Sequence, residues 1–243
     1  GSLTFEIQDV PAMTAAARSL SITTMIDNTW GTALHYPVFE LGTDIVVEAA
    51  TKYIGGHSDT NLGIAAANGT HGKELRRTAI ALGICAGPED LYLGLRGLRT
   101  MKLRLSQSAE NGLAVARAAE GHDAVISVLH PGLPSNRDHT IFNRDFVGSC
   151  GLFGLVLKPE ISQTSIDAAI EAMSVFYIGD SWGGYESLIK QAHITEKLRS
   201  LRPDLPEGHI IRMYTGLEHP ADQMADVITM LDGLRWGLAS LKK

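Results

Sequence analysis

The sequence predicts an α/β protein in which a mostly parallel sheet comes first and a smaller α+β portion follows. Three observations carry that prediction. In the first part, short apolar runs without strict alternation, as in strands covered on both faces, alternate with amphipathic helices. A long helical pattern then starts at Gly87-Pro88-Glu89-Asp90 and runs to about Glu120. Beyond it, strands and helices alternate on a smaller scale. These textures divide the chain into residues 1–98 and residues 99–243, the second part opening on the connector helix.

The elements follow in order. Leu3-Thr-Phe-Glu-Ile-Gln reads as a strand or the end of one. Pro11 suits a first helical turn, where its missing N–H costs nothing, and small residues carry that helix to Leu20. Residues 22–26 form a β-branched run that ends in Asp27-Asn28-Thr29-Trp30, and residues 44–47 form another. The Gly-rich stretch after Tyr53 is a loop, residues 62–67 a third strand, and residues 71–82 a helix with Lys73, Glu74, Arg76 and Arg77 on its wet side. Gly94, Gly97 and Gly112 are the interruptions of the long helical pattern. Later strands are expected at 124–130, 151–157, 175–178 and 210–215, with helices at 162–174 and 221–241.

Composition narrows the function. Of 243 residues, 44 % are hydrophobic and 20 % charged, ordinary for a globular protein. A formal charge of −6 argues against nucleic acid or an anionic membrane as the main partner. No apolar stretch approaches the ~20 residues that span a bilayer, and no basic segment followed by an apolar core marks a signal peptide. Cys85 and Cys150 lie far apart and outside any C-x-x-C pattern, as expected of reduced structural thiols in a cytoplasmic protein. The histidines show no H-x-x-x-H spacing, so a metal site is not expected. Gly1-Ser2 reads either as an expression scar or as internal sequence. Without a methionine or a lead-in, the chain is expected to be a piece of something longer.

The chemistry concentrates where strands give way to loops. Lys52, in Glu48-Ala49-Ala50-Thr51-Lys52-Tyr53-Ile54-Gly55-Gly56-His57-Ser58, follows a strand, where ligands of open α/β sheets bind. A partly desolvated lysine there loses its proton more easily and becomes an amine nucleophile; the plain alternative is a solvated surface lysine. Asp27 also ends a strand and can pair with a cationic ring nitrogen, or simply cap a turn. Thr51 offers a hydroxyl to a phosphate oxygen, or is at home beside a strand as a β-branched residue. His57 is expected to pack in its loop and fix the lysine segment. In the second part, Ser181-Trp182-Gly183-Gly184-Tyr185-Glu186-Ser187 is a tight turn or a ligand-approaching loop. Arg212 stands in the apolar run Ile210-Ile211-Arg212-Met213-Tyr214 and calls for an anion, either a structural carboxylate or a substrate carboxylate.

Taken together in order, Asp27, Thr51-Lys52-Tyr53, Gly56-His57-Ser58, Arg96-Gly97-Leu98-Arg99-Thr100, Ser181-Trp-Gly-Gly-Tyr-Glu-Ser and Arg212 resemble the Cys/Met-metabolism (trans-sulfuration) family of fold-type-I pyridoxal-phosphate (PLP) enzymes. The resemblance runs from Gly1 to the last helix. It implies part of the large, mostly parallel-sheet PLP domain followed by the smaller α+β C-terminal domain. It also implies that Lys52 forms the Schiff base with pyridoxal 5'-phosphate, Asp27 keeps the pyridine nitrogen protonated, and Thr51 binds the phosphate. Ser181, through its backbone, and Arg212 would hold the substrate carboxylate. Ala49 stands where many members have a serine of the phosphate site.

Trp182 follows the pattern of the bacterial cystathionine β-lyases, whereas Asp180 leans toward the γ-acting enzymes. The implied reaction is C–S β-elimination on a small sulfur amino acid, cystathionine giving homocysteine, pyruvate and ammonia. The alternatives are a γ-lyase, a γ-synthase or a non-catalytic PLP-fold regulator. The family's phosphate-binding glycine loop and ring-stacking tyrosine have no counterpart here and would come from a missing N-terminal part, as a separate fragment. The implied assembly is a homotetramer, a dimer of dimers.

Overall fold

A computed structural model describes residues 3–240. Gly1, Ser2 and the expected last residue of the final helix, Leu241, lie outside the described residues. The chain divides into two compact units, one of Gln8–Ser106 with Thr140–Ser149, the other of Gly1–Ile7, Gln107–His139 and Cys150–Lys243.

The first unit holds α1 (Val10–Ser19), β1 (Met25–Asp27), α2 (Thr32–His35), β2 (Ile45–Ala49), β3 (Gly63–Ala67), α3 (Gly69–Ala81) and α4 (Pro88–Leu98). It also takes the first residues of α5 (Met101–Ala119) and most of α6 (His139–Asp145). Asp9 starts α1 by accepting the Ala12 N–H at 3.2 Å, and Arg144 of α6 grips the same carboxylate at 2.8 Å. β1 runs parallel to β2, with Asp27 opposite Val47, and β3 pairs antiparallel with β2. Val10, Tyr36, Val38 and Val46 form a small core, against which Phe146 stacks on Tyr36 at 3.7 Å. The parallel pairing brings the carboxyl ends of β1 and β2 side by side, and both chemistry-bearing segments of this unit leave from there.

The second unit is a five-stranded sheet with helices. Its strands are β4 (Val125–Leu129), β5 (Leu152–Leu157), β6 (Tyr177–Ile178), β7 (Leu188–Ala192) and β8 (His209–Tyr214), in the order β4-β5-β8-β7-β6. All pairs are antiparallel except β6–β7. Every residue of β5 is buried, as a strand covered on both faces requires. The remainder of α5, with α7 (Gln163–Glu171) and α9 (Pro220–Ser240), supplies Val115, Ile166, Val227 and Leu231 to the main core. A short α8 (Glu196–Leu201) precedes β8. Asp226 of α9 accepts the N–H groups of Ser174, Val175 and Phe176 at 2.8–3.2 Å, satisfying the backbone where the chain leaves α7.

Several local expectations change. Residues 3–8 form no strand. Their polar groups find side chains instead of a neighbouring strand: Ile7 N–H donates to Asp138 at 3.0 Å, and Glu6 pairs with Arg202 at 2.6 Å. The long helical pattern is two helices, α4 and α5, and the break falls at Arg99-Thr100 rather than at a glycine. There the Thr100 N–H closes a tight turn on Gly97 O at 3.1 Å. The strand expected at 175–178 shrinks to Tyr177–Ile178, and β7, with Lys190 and Gln191 inside it, was not expected.

Ile211, fully buried on β8 between β5 and β7, sets the expectation for the core. Ile211→Ala should lower unfolding free energy by about 2–5 kcal/mol, through lost transfer energy and the cavity left behind. Urea denaturation monitored by circular dichroism checks this.

Candidate active site

The first unit carries Asp27, Thr51 and Lys52; the second carries Ser181, Trp182 and Arg212. Each group is described in its own unit.

At the end of β1, one oxygen of the exposed Asp27 carboxylate is fully used. Asp27 Oδ1 accepts the Thr29 N–H at 2.9 Å and the Thr29 hydroxyl at 2.6 Å. The buried Thr29 hydroxyl in turn accepts the Ala49 N–H of β2 at 2.9 Å. A single threonine thus ties the Asp27 carboxylate to the strand that leads to Lys52. The other oxygen, Oδ2, takes no hydrogen bond among the described residues. The turn-capping reading of Asp27 is met by Oδ1, and Oδ2 is left for the other reading, a pairing with a cationic ring nitrogen.

Lys52 lies in a wide turn, Thr51–Gly55, directly after β2. Its backbone leaves helical geometry (φ −78°, ψ −113°), and the turn closes with Gly55 N–H on Ala50 O and Gly56 N–H on Lys52 O, each at 2.7 Å. Gly56 has φ +70°, a conformation glycine adopts at no steric cost. His57 ties the loop back through Nδ1 to Gly55 O at 2.7 Å, as the sequence suggested. The Thr51 hydroxyl accepts the Leu62 N–H at 2.9 Å and directs its proton to Asn61 Oδ1 (3.2 Å) or Leu62 O (3.3 Å).

Glu48, one residue before Ala49 on β2, was not singled out from the sequence. Burial and the nearby Asp27 charge lift its carboxyl to about 7, against the opposing pull of the Ala33 N–H. A strand glutamate four residues before a lysine carries no visible sequence signal of this, because the causes, burial first and then a charge on another strand, are set by the fold.

In the second unit, residues 179–187 form the loop between β6 and β7. Ser181 and the half-buried Trp182 lie on it, and Gly183 (φ +83°) turns it. Its far end is fixed by Tyr214 Oη donating to Gly184 O at 2.8 Å, and by Glu218 accepting both the N–H and hydroxyl of Ser187 at 2.7 Å. Arg212 projects from β8 opposite Lys190 of β7. Asp180 joins them: its carboxylate pairs with Lys190, and its carbonyl accepts Arg212 Nη2. The anion that Arg212 calls for is thus not a structural carboxylate, since no salt bridge to it exists among the described residues. Burial pushes the guanidinium below its usual range, with Asp180 opposing. A half-buried fork with unused donors suits a planar carboxylate.

Among the described residues no cluster of His, Cys, Asp or Glu can hold a metal ion, and no helix is long and apolar enough to cross a membrane. Cys85 is exposed and Cys150 buried, both as free thiols.

Comparison with known proteins places this geometry in a family. Residues 1–232 match the family model described as "Cys/Met metabolism PLP-dependent enzyme". A putative cystathionine beta-lyase of Rhizobium johnstonii is 43 % identical over 230 residues, and the cystathionine beta-lyase MetC of Escherichia coli K12 is 40 % identical over 232. Each alignment covers 93 % of this chain and 58 % of the relative, so the chain spans little more than half of their length. A crystal structure of cystathionine gamma synthase from Xanthomonas oryzae pv. oryzae, in complex with aminoacrylate and cysteine, superposes with a TM-score of 0.87. It is 30 % identical, with 96 % of this chain and 61 % of that one covered. The chain belongs to the Cys/Met-metabolism family of PLP-dependent enzymes. The residue types fit that cofactor: Asp27, at the end of β1, has a carboxylate oxygen without a hydrogen bond among the described residues, which could pair with a protonated ring nitrogen, and Lys52, after the parallel neighbour β2, has an amine that could take the aldehyde carbon.

Two outcomes follow from the β1–β2 junction. Thr29→Val keeps the shape but leaves the half-buried Ala49 N–H without its acceptor, and should cost roughly 1 kcal/mol of stability in denaturant titration. Glu48 has a folded pKa above its unfolded value, so the native state holds the extra proton between pH 4.5 and about 7 and stability falls as pH rises through that window. Glu48→Gln should remove that slope, leaving the variant more stable than the parent at pH 8 but not at pH 4.5, as read from urea midpoints at the two pH values.

Proposed function

We propose that the enzyme containing this chain cleaves the Cβ–S bond of cystathionine, taking up water overall and releasing homocysteine, pyruvate and ammonia. The observation that carries this reading is the pairing of Lys52 with Asp27 at the carboxyl ends of two adjacent parallel strands. Pyridoxal phosphate, held through Lys52, would supply an electron sink for the carbanion formed at Cα.

The chain's own residues do the rest. Asp27 Oδ2 keeps a proton on the ring nitrogen, where its negative charge favours the cationic form. The Lys52 amine, when not engaged with the cofactor, would accept the Cα proton and later return a proton. Thr51 offers its hydroxyl to the phosphate. The Arg212 fork grips the substrate carboxylate with paired charge-assisted hydrogen bonds, assisted by the backbone at Ser181. Trp182, on the same loop, walls the pocket, and its presence beside the Gly183-Gly184 turn favours β- over γ-elimination. The phosphate cradle and ring-stacking tyrosine are assigned to an N-terminal part of the enzyme, and the assembly to a dimer of dimers; both rest on the family resemblance.

Lys52→Ala should abolish turnover and the long-wavelength absorbance of the bound cofactor; persistence of both would sink the assignment. Arg212→Ala should raise KM more than it lowers kcat, by the loss of a clamp worth about 1.5–3 kcal/mol per charged hydrogen bond. Product analysis with cystathionine separates the readings: homocysteine with pyruvate supports the β-lyase, cysteine with 2-oxobutyrate a γ-lyase.

A further inference from the structure

We propose that Arg104 is a positioning residue for Lys52, its guanidinium fixing the backbone from which the Lys52 amine is presented. The proposal rests on the reading of Lys52 as the cofactor-bearing residue.

Arg104 lies in the first turn of α5 and is 8 % exposed. A cation there gains nothing from α5 itself, whose amino end is positive. Its partners lie elsewhere. Nη1 donates to Tyr53 O at 2.9 Å, the residue after Lys52, and Nη2 donates to Ile54 O at 3.3 Å and Gly97 O at 2.7 Å. Nε donates to the Thr100 hydroxyl at 3.1 Å, which holds the plane of the fork. The carbonyls of Tyr53 and Ile54 end the Lys52 turn, and Gly97 O belongs to the last turn of α4. One buried positive charge therefore caps the negative ends of two helical segments at once.

The neighbouring glycines show that the fit is built around this side chain. A Cβ on Gly56 would collide with the Arg104 guanidinium, and a Cβ on Gly97 would fall on the carbonyl oxygens of Ile54 and Gly55. Burying a cation is costly unless its donors are satisfied. Here the donors are met by the turn that carries Lys52. A lysine in place of Arg104 could reach one of these oxygens but not span them as a planar fork.

The test uses the full-length, cofactor-loaded enzyme with Arg104→Met and Arg104→Lys. Borohydride reduction followed by peptide mass analysis first shows which lysine carries the cofactor in the parent. With the cofactor on Lys52, Arg104→Met should lower kcat roughly tenfold with KM little changed. It should also move the pH midpoint of the cofactor's absorbance change by about half a unit or more. In cofactor-free protein, amide exchange at Gly55 and Gly56 should rise. Arg104→Lys should recover the fold and only part of kcat, and it carries the test if the methionine variant does not fold. Cofactor on another lysine overturns the Lys52 reading and this proposal with it. Cofactor on Lys52, with kcat and the absorbance midpoint at parental values in the folded variants, overturns this proposal alone, even if thermal stability drops.

Discussion

The close approach of three pieces of backbone constrains the first unit more than any other feature. The Lys52 turn, the end of α4 and the start of α5 meet where Gly97 has no Cβ, where Gly56 takes a left-handed conformation, and where a guanidinium replaces solvent for three carbonyl oxygens. Carbonyl groups at helix ends need donors, and a buried junction offers no water to supply them. Arg104 resolves that shortage while adding a charge that opposes the carbonyl dipoles. At the break between α4 and α5, Gly97 O is shared between the Thr100 N–H of the closing turn and Arg104 Nη2.

The other end of the same segment is set by a chain of polar contacts. From Asp27 Oδ1 through the Thr29 hydroxyl to the Ala49 N–H the hydrogen bonds form one continuous chain, and Asp27 Oδ2 takes none among the described residues. On the neighbouring strand, burial raises the Glu48 carboxyl to about 7, and the Asp27 charge adds to that rise.

Much of this was legible in the sequence where the determinants are contiguous. The β-branched run before Thr51-Lys52 and the glycines after it fix a strand, a turn and a lysine within a few residues. Asp27 was legible for the same reason, and Thr29 at i+2 is the usual partner of a turn aspartate. Arg104 was not legible, since its partners at Tyr53 and Ile54 lie about fifty positions away and Leu-Arg-Leu reads as a helix face. β7 was missed because Lys190 and Gln191 break its apolar pattern, yet each finds polar partners: Lys190 pairs with Asp180, and Gln191 with Gln163 and His209. Arg212 was read as needing an anion; within its own unit it donates to the Asp180 carbonyl, a backbone partner that leaves no mark on local sequence.

β3 shows a different kind of consequence. Its residues from Gly63 to Ala66 are exposed, and Met25 on β1 and Ile64 on β3 present apolar side chains to solvent at the two margins of a three-stranded sheet. Unpaired strand margins with apolar side chains invite further strands, whichever chain provides them. Two such margins on one small sheet are features that favour association with a further strand when this polypeptide is handled on its own.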